Sequence, residues 1–589
     1  MQSFFSDHLS LLGRRWRIRR VPDAEVRALI DTHHLPEPLA RFLSARGVHS
    51  AGVPSFLAPS LKTQMPDPAG LKGMVDAAAR MADAIIHRQR IVIFGDYDVD
   101  GATSSALLVR YLRMAGHDAG IYIPDRILEG YGPNTEALLK LRAEGADMVV
   151  TVDCGTVSFE PILEAKKAGL EVIVVDHHLA VEALPEAVAI INPNRLDDGF
   201  PEKGLAAVGV CFLLVVAVNR ELRGRGYFAG KAEPEILSLL DLVALGTVCD
   251  VMPLTGLNRV YVTQGLKILA QKKNLGLATL MDIARIDEAP TAYHLGFILG
   301  PRINAGGRIG KSDLGARLLT TESEMEALEI AKQLDQLNAE RRTIETLVLE
   351  ASLAQLESQA NAPVVIASGA GWHPGVIGVV AGRLKEKLGK PVAVIGFENG
   401  IGKASARSIT GVDFGSAVTA ARVNGMLLAG GGHAMAAGFT VEEGRLAEFT
   451  QFLCRELEAQ VALATEKREL WVDSVVGLGG IAADLVRHFE RAGPYGSGHS
   501  EPLFVLPNVR IAQSKEVGQG HISCRIAEAG LKAQEKWLKA VSFRATETPL
   551  KVLMEPGQAA YHLAGRLKIN RWQGRETPEF HIEDVMLAS

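Results

Sequence analysis

Cysteine is scarce in this chain. Cys154, Cys211, Cys249, Cys454 and Cys524 are the only five, widely spaced, with no C-x-x-C pair. That excludes a disulfide framework and a cysteine-based zinc site, and it points to a reducing cytoplasm. Long apolar runs are also missing. The longest, Leu205–Val218, has 14 residues, short of the ~20 needed to cross a bilayer, so it reads as a buried helix and no membrane partner is expected. The first twenty residues place their apolar part ahead of Arg14, Arg15, Arg17, Arg19 and Arg20, the reverse of a secretory signal, so no export is expected. Neither sign of charge dominates: the net charge is −5. Attraction to nucleic acid must therefore come from local basic patches or from metal ions. Repeats and low-complexity tracts are absent as well.

What is present is an ordinary globular composition, 47% apolar and 22% charged over 589 residues, enough for three or four domains at about 150 residues each. From about Met74 to Asp250, short β-branched runs alternate with helical stretches. RIVIF (90–94), MVVTV (148–152) and EVIVV (171–175) read as strands of βαβ units in a parallel sheet. Residues 322–360 contain no Gly or Pro and read as a linking helix. A second α/β pattern starts at Pro363 and is rich in glycine. After Trp471 the alternation changes to period 2 in LFVLPNVRIA, HISCRIA, LKAVSF, AAYHLAGRLKI and EFHIEDV, which predicts a small five-stranded OB-like β-barrel. The expected domains are 1–73, helical and basic; 74–321; the linking helix 322–360; 361–465; and 466–589.

Three of the predicted strands end in the same chemistry. RIVIF runs into Asp96, Asp98 and Asp100; MVVTV into Asp153; EVIVV into Asp176, His177 and His178. In a parallel sheet these groups converge on the carboxyl edge, where such folds build their sites. Asp250, after LVALGTVC, is a further candidate. Carboxylates packed this closely repel one another, and a divalent cation relieves the repulsion. Oxygen donors with some imidazole suit Mn²⁺ or Mg²⁺. So many candidate ligands favour two ions, roughly 3.5–4 Å apart, activating water for attack on a phosphoester. DYDVDG also resembles the start of a calcium loop, but the twelfth position, a glutamate in such loops, is Leu107. A lone Asp after a strand is often only a helix cap, which does not account for three strand ends together.

GDYDVDG, VDCG, DHH and CDVMPL, followed by ASARS and GGGH, resemble the DHH phosphoesterase superfamily with its DHHA1 partner domain, over about residues 74–445. With the C-terminal β-domain added, the order is similar to the branch of that superfamily that degrades single-stranded DNA. The resemblance implies a parallel-sheet DHH domain, a smaller α/β DHHA1 domain beyond a long helix, and an OB-like barrel. It implies a 5′→3′ exonuclease of DNA repair and recombination that releases mononucleotides from single-stranded DNA. Carried over residue by residue, the metal ligands would be Asp98, Asp100, Asp153 as the bridge, His177 and Asp250. His178 would be either a ligand or a contact to the scissile phosphate, and Asp176 would fix a histidine tautomer. Where many members carry a histidine four residues before Asp98, this chain has Phe94; Asp96 either substitutes as a ligand or acts through water. Ser405 and Arg407, with Arg126 and either Arg302 or Arg308, would hold a terminal 5′-phosphate. Tyr131, Asn304 and His433 are further substrate-site candidates. Lys568, Arg571, Trp572 and Arg575 would contact DNA from the barrel. Helicase and single-strand-binding partners, and a monomeric state, are implied by the resemblance alone.

Overall fold

The computed structural model describes residues 8–126, 128–356, 359, 361–466, 468–530, 537–572 and 574–588. They pack as two compact units. The larger is built from Pro66–Met252 and the described residues from Gly265 to Glu466; the other from His8–Met65, Pro253–Gln264 and the described residues after 467.

In the larger unit, strands β1 (Ile91–Gly95), β2 (Ala119–Tyr122), β3 (Met148–Val152), β4 (Glu171–Val175) and β5 (Ala189–Ile191) form one sheet in the order β2-β1-β3-β4-β5, all parallel. Every residue of β1 and β3 is buried. That is why these strands read as continuous β-branched runs rather than as alternating ones: both sheet faces are covered. The order places a topological switch point between β1 and β3, where open α/β sheets bind ligands. Register completes the arrangement. Gly95 pairs with Val152, Val152 with Val175, and Val175 with Ile191. The next residues, Asp96, Asp153, Asp176 and Asn192, therefore stand side by side along the carboxyl edge.

Helix α1 (Val99–Met114) leaves β1 directly and packs against α2 (Ala207–Gly224) and α3 (Leu240–Cys249). The apolar run noted in the sequence is thus the buried face of α2. Helix α4 (Gly300–Ile309) precedes α5 (Glu324–Ala354), the expected linking helix, which at 31 residues is about 46 Å long. Ser323 caps α5 by accepting the Glu326 N–H. Its buried stripe is apolar through Leu334, then turns polar at Asn338, Arg341 and Glu345 before Val348. Beyond it, α6 (Pro374–Leu388) covers a mixed sheet of β6 (Val365–Ala370), β7 (Val392–Glu398), β8 (Ile401–Arg407), β9 (Ala429–His433) and β10 (Ala436–Glu442), ordered β9-β10-β8-β7-β6.

The smaller unit contains the expected barrel. Strands 504–517, 521–528, 538–542, 575–587 and 561–572 pair in that order, and the last closes on the first. The five apolar-alternating segments are these five strands. The amino-terminal residues belong to the same core: Val26, Leu29, Leu39 and Phe42 cluster with Phe504, Ile522 and Leu563. The basic stretch around Trp16 is a strand, Arg15–Ile18, paired in parallel with Glu469–Val472. Trp16 is buried, and Arg17 pairs with Glu469. The Trp16 indole N–H and the Ser10 hydroxyl both donate to Asp584 Oδ2, at 3.1 and 2.6 Å. Because Asp584 is fully buried, replacing it by Ala removes the acceptor that both groups share. Asp584→Ala should destabilise the unit by about 2 kcal/mol or more, read as a lowered midpoint in urea at unchanged slope.

Candidate metal centre and nucleic-acid interface

The acidic rim is built by local backbone geometry. After β1 the chain turns at Asp96-Tyr97, and Asp98 caps α1 by accepting the Gly101 N–H at 3.0 Å. Gly101 is required there, since a Cβ would lie 2.3 Å from the Asp96 carbonyl oxygen. Asp100 points from the first turn of α1 toward the start of α2 and accepts the N–H groups of Ala207 and Val208 at 2.7 and 3.0 Å. Asp153 leaves β3 with φ +62°, a conformation uncommon outside glycine. Its carbonyl accepts the Tyr131 hydroxyl at 3.0 Å. Asp250 ends α3 as its C-cap, so it reaches the site from a helix rather than from a strand.

The two histidines are held differently. His177 Nδ1 is 3.1 Å from the Leu205 carbonyl, which can only accept. Nδ1 therefore carries the proton, and Nε2 presents a lone pair to the carboxylates. Nε2 stands 3.2 Å from Asp153 Oδ1, 3.6 Å from Asp250 Oδ2 and 3.9 Å from Asp100 Oδ2. Burial, with the adjacent His178, lowers the His177 pKa to about 4, so the lone pair is retained at neutral pH. His178 Nδ1 donates to Asp176 Oδ1 at 2.8 Å and lies 3.1 Å from the Tyr131 hydroxyl. Burial, the largest single influence, opposes its protonation, but the hydrogen bond to Asp176 together with the charges of Asp176, Asp100 and Asp96 raises its pKa. Asp176 also accepts the N–H groups of Thr156, His177 and His178. Asn192, which the sequence reading missed, donates to Thr156 Oγ1 and to the His178 carbonyl, both at 2.9 Å. It ends a three-residue strand too short to recognise from pattern.

The remaining carboxylates are left uncompensated. Among the described residues, Asp96 Oδ1, Asp153 Oδ1 and Asp250 Oδ2 are buried and accept no hydrogen bond. Burial first and neighbouring aspartates second push Asp96 and Asp100 up to about 7 and Asp250 to about 9, and hold Asp153 well above the carboxylate range. Three sets can each gather ligand atoms within 4.8 Å of one another: Asp153, His177 and His178; Asp100, His177 and Asp250; Asp96, Asp98 and Asp153. Asp153 and His177 are each shared by two sets. The donor set, oxygen with some imidazole, fits Mn²⁺ or Mg²⁺, and the orphaned oxygens are the positions such ions would satisfy. Phe94 is buried, its ring centre 5.2 Å from that of Tyr122 on which it stacks, and it carries no donor atom. Asp96 stands beside Asp98 and Asp153 instead.

A cluster of arginines faces this rim. Arg126 lies over the Tyr97 ring at 4.8 Å. Arg308 is bonded to the Gly375 carbonyl through Nη1 at 2.9 Å, and burial, then Arg126 and Arg341, lower its pKa to about 10. Arg407 donates to the Ser405 hydroxyl at 3.0 Å and to the Ala406 carbonyl at 2.8 Å. A Cβ on Gly378 of α6 would lie 3.0 Å from Ser405 Oγ and 3.3 Å from Arg407 Nη2, so that glycine leaves room for both side chains. Arg302 is placed elsewhere: it pairs with Asp335 of α5 at 2.8 Å and with the Ile298 carbonyl. Between the two alternatives, Arg308 therefore joins the cluster. Asn304 is half-buried on α4. His433 is exposed and lines a separate shallow cavity of about 620 Å³ with Asp413, Ser416 and Asn424.

On the barrel, the predicted basic loop is the tip of the 561–572/575–587 hairpin. Its cations are largely matched: Lys568 pairs with Glu501 at 2.6 Å, and Arg571 with Glu490 and Glu576 at 3.0 and 3.1 Å. Arg575 is exposed, and the side chain of Trp572 lies outside the described residues. A second face went unnoticed in the sequence. A cavity of about 580 Å³ is lined by Lys515, Arg525, Trp537 and Lys539. Trp537 is half-exposed under the Arg525 guanidinium, 4.2 Å from the ring centre, the combination that stacks unpaired bases.

With this geometry in place, the class is defined by three domain matches: DHH family, N-terminal domain, over residues 90–247; DHHA1 domain over 361–459; and RecJ OB domain over 472–584. The single-stranded-DNA-specific exonuclease RecJ of Dickeya dadantii is 37% identical over 586 residues, covering 97% of this chain and 99% of that protein. That of Escherichia coli is 35% identical, covering 94% and 96%. The crystal structure of RecJ from Thermus thermophilus in complex with Mn²⁺ superposes with a TM-score of 0.79 at 29% identity, over 98% of this chain and 80% of that one. A Mg²⁺ complex of the same protein gives 0.74 at 29% identity, over 98% and 79%. The chain belongs to the RecJ family.

The raised carboxyl pKa values make metal dependence measurable in stability. Groups whose folded pKa lies above the unfolded value stabilise fully at low pH and lose that contribution as pH rises through the folded pKa. Without metal, the Asp96, Asp100 and Asp250 contributions should therefore fade from about pH 4 to about pH 9. Divalent ions, which bind the ionised forms, should restore it. The rise in Tm between chelator and Mn²⁺ should grow from pH 5 through 7 to 9, and Asp153→Asn should remove most of that growth. A Mn²⁺ effect independent of pH would contradict this account.

Proposed function

We propose that this chain is a metal-dependent exonuclease specific for single-stranded DNA, degrading it 5′→3′ to mononucleotides. The observation that carries the proposal is the shared position of Asp153 and His177 among three ligand sets whose outer carboxylate oxygens lack partners. In this reading Asp96, Asp98, Asp100, Asp153, His177 and Asp250 would hold two ions, Mn²⁺ or Mg²⁺, with Asp153 available to both. Bound there, the ions would supply Lewis acidity, making water a nucleophile at neutral pH and screening the phosphate charge. His177 stays neutral and oriented through Leu205. His178, its ring fixed by Asp176, directs its other nitrogen toward the scissile phosphate and stabilises charge as it develops. Arg126, Arg308, Arg407 and Ser405 form an anion seat for the terminal 5′-phosphate, which sets the distance from the strand end to the cut. The barrel face around Trp537 and Arg525 binds single-stranded DNA by stacking and charge. Helicase and single-strand-binding partners, a monomeric state, a cytoplasmic location and a role in repair and recombination extend the reading and rest on the family resemblance. Among the described residues no helix is long and apolar enough to cross a membrane.

The test is nucleotide release from a 5′-phosphorylated 50-mer with Mn²⁺, beside a dinucleotide. Progressive digestion of the 50-mer supports the proposal; cleavage of the dinucleotide alone would favour a phosphodiesterase of short oligonucleotides instead. Asp153→Ala should lower turnover by about 10³-fold while leaving DNA affinity within a few-fold. Arg407→Ala should reduce the preference for phosphorylated over unphosphorylated 5′ ends by about tenfold.

A further inference from the structure

The segment GWHPGVIG carries a histidine that neither the metal centre nor the arginine seat accounts for. His373 is the N-cap of α6, a 15-residue helix, and its Nδ1 accepts the Gly375 N–H at 3.1 Å. That bond decides the tautomer. A nitrogen that accepts a backbone N–H carries no proton, so the neutral ring has its hydrogen on Nε2, the atom at the outer end of the side chain. The ring is half-exposed, so this donor is not spent in the core.

Gly375 connects that donor to the arginines. Its N–H goes to His373, while its carbonyl accepts Arg308 Nη1 at 2.9 Å. The imidazole and the Arg308 guanidinium are therefore held on the two sides of one glycine. One turn further along α6, Gly378 leaves room for Ser405 and Arg407. The end of α6 that His373 caps thus lies among Arg308, Arg407 and Ser405. Burial, and Arg126 after it, lower the His373 pKa, so the ring is a neutral donor there rather than a fourth cation. Among the described residues, Arg126, Arg308 and Arg407 have no carboxylate within ion-pair distance. An anion is what this end of α6 lacks.

We propose that His373 is a further substrate-contacting residue, whose Nε2–H donates to the terminal phosphate of a strand end seated against Arg308, Arg407 and Ser405. The proposal deepens the exonuclease reading and rests on it. Its role is in affinity and end discrimination: it orients the end by a directed hydrogen bond, which the surrounding charges alone do not do.

The test separates the cap from the contact. Asn is a good N-cap and can still accept the Gly375 N–H, but it is too short to place a donor where Nε2 stands. Gln reaches that position with an amide N–H but caps poorly. The measurements are KM and kcat on 5′-phosphorylated and 5′-hydroxyl single strands with Mn²⁺, and Kd for the same strands by fluorescence anisotropy in chelator. His373→Asn should raise KM and Kd for the phosphorylated strand about tenfold, the scale of one hydrogen bond to a charged group. It should leave kcat within about twofold and change the hydroxyl strand little. His373→Gln should recover most of that affinity despite a lower Tm. If His373→Asn matches the wild type while His373→Gln loses affinity in step with stability, the residue is a helix cap only and the proposal is overturned. A wild-type protein that binds strand ends but cuts nothing would overturn the exonuclease reading, and the binding comparison would still decide the role of His373.

Discussion

The constraint on which this molecule turns is electrostatic. Asp96, Asp98, Asp100, Asp153 and Asp250 are brought to one rim, and Asp96, Asp100 and Asp153 are almost entirely removed from water. Carboxylates so placed cannot all ionise unless something compensates them. The fold compensates some. Asp98 receives the Gly101 N–H, Asp100 receives two N–H groups from the start of α2, and Asp176 receives three along with His178. It leaves Asp96, Asp153 and Asp250 each with a buried oxygen that accepts nothing. Backbone amides thus lock the orientation of one group of carboxylates, and the other group keeps buried oxygens that a cation would satisfy. The same division explains why Asp176 belongs to the scaffold: its pKa is lowered, because the hydrogen bonds it receives outweigh its burial.

The second wall is organised by the opposite charge and is coupled to the first through Arg308. That residue leaves α4, next to Tyr97 of the acidic turn, and ties itself to Gly375 of α6. The long helix α5 lies behind both. Its stripe turns polar at Arg341 and Glu345; Glu345 is fully buried and also pairs with Arg383 of α6 at 2.5 Å. A buried carboxylate held by two arginines is costly to leave half-paired, so the α5–α6 contact has a defined register. The distance between the acidic rim and the arginine cluster is thereby set by packing. An enzyme that measures one nucleotide from a strand end needs such a fixed distance.

Much of this was legible in the sequence, and the reasons are local. Strands β1, β3 and β4 are buried on both faces, so their apolar runs stand out, and the acidic residues follow at once along the chain. The five barrel strands alternate with period 2 and are separated by turn residues. The linking helix declares itself by its lack of Gly and Pro. What stayed hidden depends on partners distant in sequence. The amino-terminal segment read only as basic, yet its Trp16 serves Asp584 and its Arg17 serves Glu469, more than 450 residues away. Lys568 and Arg571 looked free until Glu490, Glu501 and Glu576 were placed beside them. Arg302 and Arg308 sit six residues apart on one helix, and only the positions of Asp335 and Gly375 separate their roles.

Phe94 and Asp96 show how the end of one strand divides between core and rim. Its ring fills the core face of β1 against Tyr122, and the strand's alternation carries a residue two positions on toward the same side of the chain. Asp96 is that residue, and the chain has already left the sheet when it is reached. It therefore turns to the rim, where it shares a ligand set with Asp98 and Asp153.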